Sequence, residues 1–388
     1  MLSERRRVLI GVVGVLLVLA VLAGGVVTGA LITDYKNLGT LTRVISLVNR
    51  YYLEPANPDN MVNGAAKGLV ESLGDPYSVY MPPQMNKELR DQVRGSFGGI
   101  GILVGPGKEH LTIVKPIKDT PAYEAGLKAG DLIFKIQGKD TKGMDLDAAV
   151  NMMRGPVGTE VSLTIYRAKD KKLHDYTIPR EVIKVPTVEG KIIEGTEIAY
   201  INIVQFTSNT DIELEKTLRE LDIPLNDPGK SKVKGIILDL RGNPGGELES
   251  AVHVADFFVP EGPIVYIEYR TDNEEIYKAD NKYIRLPMLV LVDGYSASAS
   301  EIVAGAIKDT KAGALVGTKT FGKGVVQSLY ELRNNAGLKL TTGKYLTPLK
   351  HDINKKGIEP DIKVELPENA VKDVQLEKTI EIMKEKIK

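Results

Sequence analysis

The C-terminal half of the chain contains three side chains whose chemical types can together hydrolyse an acyl bond: Ser298, Lys323 and Gln327. A serine hydroxyl attacks a carbonyl once a base removes its proton, and a neutral lysine can be that base, so no histidine is required. Lys323 follows Ser298 by 25 residues, and Gln327 follows Lys323 by four. A plainer interpretation is also open, in which the serine-rich stretch caps a helix and the lysine is solvated in a loop.

The residues around Ser298 predict a strand, a tight turn and the N-terminus of a helix. The apolar run 289–292 ends in an Asp-Gly pair, alternating serines follow, and a helical pattern begins at Glu301. Unpaired N–H groups at such a terminus stabilise a developing oxyanion. Lys323 lies in a later glycine-rich turn.

This stretch resembles the C-terminal processing peptidases, which are tail-specific serine proteases of family S41 with a Ser-Lys dyad. Their nucleophile is the middle serine of an S-A-S-A-S run, and their lysine and glutamine follow at the spacings found here. The resemblance implies peptide hydrolysis through an acyl-enzyme, with Ser298 as nucleophile and Lys323 as general base and then general acid. Lys323 must then be held neutral by desolvation and the nearby helix end. Gln327, one helical turn beyond Lys323, is expected to orient it by hydrogen bonding.

A glycine-rich turn at residues 241–246 carries a second motif. The nearly continuous apolar run 233–240 predicts a strand buried on both faces, and it leads into a D-L-R-x-N-x-G-G pattern. In the same peptidases, a glycine amide of this motif supplies half of the oxyanion hole. The resemblance gives that role to Gly245, with Gly246 as the alternative, and the other half to the amide of Ala299. Both glycines also suit a purely structural strand-to-helix turn.

Residues 96–182 predict a small, mainly β domain. Short strands surround an A-G-L-K-A-G-D-L-I segment at residues 125–133, and a helix at 146–153 ends just before Arg154. The pattern resembles a PDZ domain, a module that captures the C-terminal ends of polypeptides by strand addition. The residues in the position of its carboxylate-binding loop are Gly98, Gly99, Ile100 and Gly101.

The PDZ resemblance implies protein substrates with free, apolar C-terminal tails. Arg154 either makes a charge contact to the core or the ligand, or caps the helix at the surface. An ordinary β domain without a ligand is the alternative.

An uncharged stretch at residues 8–32 follows Arg5, Arg6 and Arg7. As a helix it would be about 37 Å long, enough to cross a hydrocarbon core of about 30 Å. The arginine cluster predicts a cytoplasmic N-terminus and a single-pass protein of the cell membrane with its catalytic body outside the cytoplasm. A cleaved signal peptide is the competing interpretation.

Apolar residues recur at three- and four-residue steps after this stretch, including Leu38, Leu41 and Ile45, and predict an amphipathic helix. A further helix is predicted at residues 61–73. Such apolar faces pack against a core or a partner. The segment therefore links the membrane to the body or serves as the dimerisation arm of a homodimer.

The chain divides into five predicted parts. They are a cytoplasmic stub with a transmembrane anchor (1–34), an N-terminal helical segment (35–95), the PDZ domain (96–182), the peptidase core (183–370) and a C-terminal helix (371–388). The predicted fold class is α/β. The resemblance implies a crotonase/ClpP-like protease core plus the mainly β PDZ domain, the helical N-terminal segment and one transmembrane helix.

Composition excludes several other functions. Lysine plus arginine and aspartate plus glutamate number 51 each, so no basic field predicts nucleic-acid binding. The four histidines lack metal-ligand spacing, and the absence of cysteine excludes thiol nucleophiles and disulfides. We expect no metal and no organic cofactor. Two other functions stay open: a catalytically silent, membrane-tethered PDZ adaptor, and a crotonase-type acyl-transfer or lyase enzyme.

Overall fold

The structure is a computed structural model that describes residues 38–107, 109–225, 231–271, 273–367 and 372–388. The predicted transmembrane stretch at residues 8–32 lies outside this part of the chain. Among the described helices, none is long and apolar enough to cross a membrane. The chain forms two compact units, Met1–Gly74 and Asp75–Lys388.

The first unit contains two helices, as far as it is described: α1 (Leu38–Tyr51) and α2 (Pro58–Glu71). Both predicted helices are confirmed. The side chain of Asn57 caps α2 by accepting the N–H groups of its first turn. α1 buries no residue, and large apolar side chains such as Leu41 and Leu69 are exposed. Both helices therefore present apolar faces without a partner in the described part of this unit.

The described part of the second unit combines four sheets, one of them two-stranded, with helices. Its helices are α3 (Pro83–Val93), α4 (Pro121–Glu124), α5 (Leu146–Met153), α6 (Thr210–Glu220), α7 (Leu248–Asp256), α8 (Ala299–Asp309) and α9 (Val374–Lys386). Its strands are β1 (Val79–Met81), β2 (Ser96–Gly99), β3 (Ile102–Gly105), β4 (Leu111–Pro116), β5 (Leu132–Ile136), β6 (Lys139–Asp140), β7 (Glu160–Arg167), β8 (Lys172–Pro179), β9 (Glu181–Lys184), β10 (Val188–Ile192), β11 (Ile198–Ile203), β12 (Gly235–Asp239), β13 (Gly262–Tyr269), β14 (Glu274–Ala279), β15 (Met288–Val292), β16 (Ala314–Gly317), β17 (Val325–Glu331), β18 (Gly337–Leu346) and β19 (Ile362–Lys363).

The central sheet of the second unit has the order β10-β11-β12-β15-β16-β19. β10 runs antiparallel to β11, and the remaining pairs are parallel. Alternate side chains of β12 point to opposite faces: Ile236 and Leu238 join the core that includes α6, α7 and α8, whereas Ile237 packs with Met383 of α9. The prediction that residues 233–240 form a strand buried on both faces is therefore confirmed.

An antiparallel sheet lies beside the central one, with the order β1-β18-β13-β14 and with β17 also paired to β18. The PDZ-like part is a separate sheet of order β3-β4-β5-β7-β8, in which β6 pairs with β5 and α5 packs against β3 and β5. β2 and β9 pair with each other next to this part. α3 falls within the predicted helical segment (35–95) but belongs to the second unit, where it contacts β1 and β2.

Candidate active site

The turns that carry Ser298, Lys323 and the 241–246 motif meet at one edge of the central sheet. β12, β15 and β16 are adjacent and parallel, so the turns that follow them emerge at the same edge, where α/β proteins place their ligands. Backbone hydrogen bonds join these turns: Ala297 N–H donates to the Asn243 carbonyl at 3.0 Å, and Phe321 N–H donates to the Ser296 carbonyl at 3.1 Å. Residues more than 50 positions apart thus form one site.

Ser298 occupies a strained turn between β15 and α8. Its backbone has φ 55° and ψ −115°, a conformation that is unfavourable for a residue with a Cβ and that is often found at functional sites. The half-buried Ser298 lines a cavity of about 700 Å³. The hydroxyls of Ser296 and Ser300 are buried and donate to backbone carbonyls at 2.8 and 2.9 Å. Of the three alternating serines, Ser298 is the one that lines the cavity.

Glu301, at the start of α8, is fully buried and accepts four hydrogen bonds. Its Oε2 accepts the backbone N–H groups of Ser298 and Lys323, both at 2.9 Å. Its Oε1 accepts the Thr320 hydroxyl at 2.6 Å and the Gly322 N–H at 2.7 Å. One carboxylate therefore connects the serine turn to the lysine turn.

Tyr345 of β18 makes a second connection between the same two residues. Its hydroxyl lies 3.0 Å from the Ser298 carbonyl oxygen and 2.5 Å from that of Lys323, so its single hydrogen is shared between two acceptors. Burial raises the pKa of the Tyr345 phenol well above its usual value, so the group stays a neutral donor. Tyr345 and Glu301 hold the backbones of Ser298 and Lys323 from different sides of the site.

Lys323 is half-buried on the wall of the same cavity, and its Nζ lies 5.0 Å from the centre of the Tyr77 ring. Burial lowers the pKa of the Lys323 amine most, and the positive charge of Lys339 lowers it further. The carboxylates of Glu301 and Asp75 act in the opposite direction but do not cancel this shift. In the described structure Lys323 Nζ makes no hydrogen bond to Ser298 Oγ, and free enzymes often shorten such contacts only with substrate bound.

Gln327 differs from the sequence expectation. It lies on a strand, β17, so the predicted helical turn between Lys323 and Gln327 is wrong. The strand forms because this stretch pairs along its length with β18. The Gln327 amide donates to the Val325 carbonyl and to the Thr341 hydroxyl, both at 3.3 Å. Gln327 does line the cavity that contains Lys323.

Ala299 and Gly245, the two residues predicted to form the oxyanion hole, both adjoin Ser298. Ala299 is the first residue of α8, and Gly245 packs so closely on the serine turn that an added Cβ would lie 2.8 Å from Ser298 Cβ. The Gly245 N–H donates to Asn243 Oδ1 at 2.8 Å, so this amide already has an acceptor. Gly246 also lines the cavity, and no acceptor of its N–H is found in the described structure. The arrangement favours Gly246 over Gly245 as an amide available to a ligand.

The cavity around Ser298 has both polar and apolar walls. Its apolar lining residues include Leu89, Val93, Phe206, Leu248, Ile302 and Val326. No histidine is among its lining residues in the described part of the chain, and His253 instead contacts Asp211 at 3.0 Å outside it. The described residues contain no acidic, histidine or cysteine cluster suited to a metal ion.

The predicted glycine loop of the PDZ-like part is shorter than expected. Gly98 and Gly99 belong to β2 and pair with β9. The Gly155 carbonyl oxygen approaches Gly98 too closely for a side chain at that position. The connection between β2 and β3 is therefore Ile100-Gly101, and Gly101 has a φ of 81° that suits glycine. β3 is the edge strand of its sheet and lies beside α5.

Arg154 directly follows α5 and lines a second cavity, of about 940 Å³, between α3 and the PDZ-like part. Its guanidinium lies 4.2 Å from the centre of the Phe97 ring, a cation–π contact. Gln92 and Gln205 line both this cavity and the one around Ser298. The two cavities are therefore neighbours.

Sequence reasoning missed the residues that hold the site together. Glu301 carried a signal, since a serine followed three residues later by glutamate is a capping-box pattern. Asn243 is the fixed asparagine of the turn motif, but the sequence assigned it no role, although its side chain bonds both Gly245 and the Ile203 carbonyl. Tyr345 and Lys339 lie in an alternating strand and carried no signal.

Comparison with known proteins agrees with this arrangement. The model of peptidase family S41 matches residues 197–364, a PDZ domain model matches 112–167, and the model of the activating protease CtpB N-terminal domain matches 28–85. A carboxy-terminal-processing protease of Bartonella bacilliformis is 40% identical over 370 residues, which cover 93% of this chain and 83% of the relative. The carboxy-terminal processing protease CtpA of Bacillus subtilis is 38% identical, over 87% of this chain and 71% of its own.

A solved structure of similar fold is that of the photosystem II D1 C-terminal processing protease. The two superpose with a TM-score of 0.50 at 28% identity, over 84% of this chain and 86% of the other. The resemblance predicted from the sequence motifs is confirmed, as are the peptidase fold and the PDZ domain. The chain belongs to peptidase family S41 and is a carboxy-terminal processing serine protease with a PDZ domain.

Proposed function

We propose that this protein cleaves extracytoplasmic proteins near their C-termini with Ser298 as nucleophile and Lys323 as general base. The observation that carries the proposal is the double connection between these two residues. Glu301 binds both backbone N–H groups, and Tyr345 binds both carbonyl oxygens. Both side chains also line one cavity, which gives the pair a common space for a peptide bond.

In the proposed reaction, neutral Lys323 removes the proton of Ser298 as its Oγ attacks the scissile carbonyl carbon. The resulting Lys323 ammonium then protonates the leaving amine, so that the C–N bond breaks and an acyl-enzyme remains. Water attacks this ester with Lys323 again as base, and the acid product leaves. The lowered pKa of Lys323 supports this role, because it increases the neutral fraction near neutral pH.

The proposed oxyanion hole consists of the Ala299 amide and one glycine amide of the 241–246 turn. The Ala299 N–H lies at the N-terminus of α8, where unpaired amides and the helix dipole favour negative charge. Gly246 is our preferred second donor, because the Gly245 amide is bonded to Asn243. If Gly245 is the donor instead, that bond must break when substrate binds.

Gln327 is proposed to act on Lys323 from β17. Its amide is oriented by Thr341 of the neighbouring strand while its side chain borders the cavity. We propose that the Gln327 amide oxygen accepts a hydrogen bond from the Lys323 amine when substrate is bound. In this role Gln327 fixes the orientation of the Lys323 side chain and does not set its protonation state.

We infer that substrate tails bind the PDZ domain along β3. The free edge of β3 lies beside α5, the arrangement in which PDZ domains add a strand. The Ile100-Gly101 connection is suited to present amides to a terminal carboxylate. Arg154 lines the second cavity and adds a positive charge there. The second cavity adjoins the one around Ser298 at Gln92 and Gln205.

The N-terminal stretch at residues 8–32 is proposed to anchor the protein in the membrane with the body outside the cytoplasm. The exposed apolar faces of α1 and α2 support a homodimer formed through this segment. A protease added outside spheroplasts should digest the body. A body that stays protected until the membrane is permeabilised would exclude this orientation.

The central test compares Ser298→Ala and Lys323→Ala with Lys319→Ala in a peptide-cleavage assay. The first two should abolish cleavage, because removing either half of a nucleophile–base pair costs nearly as much as removing both. Lys319 forms a surface ion pair with Glu359 and should be dispensable. Undiminished cleavage by Ser298→Ala would refute the proposal, and a wild type that binds tails but never cleaves them would support the silent-adaptor alternative.

The PDZ assignment is tested with matched peptides that carry a free or an amidated C-terminus. Amidation should lower cleavage severalfold in the wild type. Deletion of the PDZ domain should make the two peptides equivalent. Equal cleavage of both peptides by the intact enzyme would contradict tail recognition but leave the Ser298–Lys323 assignment intact.

A further inference from the structure

A second lysine, Lys339, lies on the wall of the cavity that contains Ser298 and Lys323. We propose that Lys339 is a positioning residue that acts through Lys323, because its positive charge keeps the Lys323 amine in the neutral form that accepts a proton. This inference rests on the proposed Ser-Lys mechanism and adds a residue to it.

The pleat of the sheet directs Lys339 toward the site. On β18 it is paired with Val79 on one side and with Leu329 on the other. Thr341, two positions along, shares its face of the strand and accepts the Gln327 amide. Leu329 and Gln327 line the cavity, so this face of the β17–β18 pair is a wall of the active site.

The titratable groups around Lys323 come from several elements of the second unit. They are Lys339 and Tyr345 of β18, Glu301 of α8, Asp75 and Tyr77 before β1, Tyr277 of β14, and Glu247 and Glu249 at the start of α7. α3 contributes only uncharged residues to the cavity wall, namely Leu89, Gln92 and Val93. Lys339 is thus the second cation of this wall in the described structure.

The carboxylates that act on Lys323 are already bonded to other groups. The Glu301 oxygens accept four hydrogen bonds from the serine and lysine turns. The Asp75 oxygens accept the Tyr77 N–H at 3.1 Å and the Ser78 hydroxyl at 2.5 Å. Among the described residues, neither Lys323 nor Lys339 has a carboxylate within ion-pair distance. Two amines therefore share one cavity without a direct counter-ion.

Two ammonium groups in a partly desolvated cavity repel each other, and the loss of one proton relieves the repulsion. Lys323 is the group whose pKa is lowered, first by burial and then by Lys339. A neighbouring cation is a known means of activating a lysine. If Lys339 carried no charge, the carboxylates of Glu301 and Asp75 would raise the pKa of Lys323 with less opposition. The pKa of Lys323 would then be higher.

The test is the pH dependence of kcat/KM for Lys339→Met and Lys339→Arg, measured with one soluble peptide. Methionine keeps an unbranched side chain but removes the charge, whereas arginine keeps the charge. In Lys339→Met the rise of kcat/KM should move to higher pH and the high-pH plateau should be retained. Each unit of this displacement is about a tenfold loss at a fixed pH on the rising limb. We expect a severalfold loss at pH 7, and Lys339→Arg should keep the wild-type midpoint.

Lys344→Met is the matched control. Lys344 lies on the same strand, forms an ion pair with Glu268 and does not line the cavity, so its substitution should leave the midpoint unchanged. Lys339→Gln provides a second neutral variant, and circular dichroism confirms that both are folded.

An unmoved midpoint in a folded neutral variant would refute the proposal. The same holds if Lys339→Met raises KM only for peptides with a free carboxylate, because Lys339 would then bind the tail. The proposed Ser-Lys mechanism has an independent test: it is wrong if Ser298→Ala cleaves as well as the wild type.

Discussion

Replacement of Glu301 by glutamine should both destabilise the protein and inactivate it. The carboxylate accepts four hydrogen bonds, two at each oxygen, from two buried and two half-buried residues. An amide supplies only one oxygen, so two of these donors lose their acceptor and face an NH₂ group instead. A hydrogen bond to a charged group contributes about 1.5–3 kcal/mol, so Glu301→Gln should cost roughly 3–6 kcal/mol. That is a large part of the ~5–15 kcal/mol by which domains are stable.

The expected loss of activity comes from geometry rather than from charge. Glu301 raises the pKa of Lys323. Neutralising Glu301 should therefore leave the neutral fraction of the Lys323 amine at pH 7 unchanged or larger. The rising limb of the pH–rate profile should therefore stay in place or move to lower pH. The rate itself should fall by roughly a hundredfold, because the serine and lysine turns lose their common anchor.

Urea unfolding and peptide cleavage measure the two effects. The control is Glu220→Gln, which removes only an exposed ion pair with Lys216 and should change the free energy of unfolding by less than about 1 kcal/mol. A Glu301→Gln variant with an unchanged urea midpoint and a rate within a few-fold of the wild type would refute the anchoring role.

Three further outcomes follow from the site. Ser300→Ala should remain active but lose about 1 kcal/mol of stability, because its buried hydroxyl bonds the Asn243 carbonyl; an inactive, fully stable variant would contradict this. The cleavage rate should rise with pH through the lowered pKa of Lys323, and His253→Gln should leave that profile in place; a profile lost with His253 would indicate a histidine base. Gly245→Ala should abolish activity in an assay of folded protein, since its φ is 98° and the new Cβ would lie 2.6 Å from a carbonyl oxygen; wild-type turnover would show that the turn can shift.

Local pattern was enough to predict several elements of the second unit. The helix Leu146–Met153 begins and ends where the pattern placed it, and the apolar runs 233–240 and 289–292 correspond to the strands β12 and β15. Gln327 was assigned to a helical turn because only local spacing was considered. Its strand conformation depends on pairing with β18, which begins ten residues later.

The sequence by itself determined the family, the motif residues Ser298 and Lys323, and the order of the PDZ and peptidase parts, because these depend on residue types at short, regular spacings. Only the tertiary structure decided which groups surround those residues. Parallel pairing of β12, β15 and β16 brings three distant turns to one edge of the sheet. Burial then lowers the pKa of Lys323, and Glu301 of α8 and both Tyr345 and Lys339 of β18 act on it from two other elements. Hydrogen bonding and desolvation depend on distance in space, which spacing along the sequence does not specify.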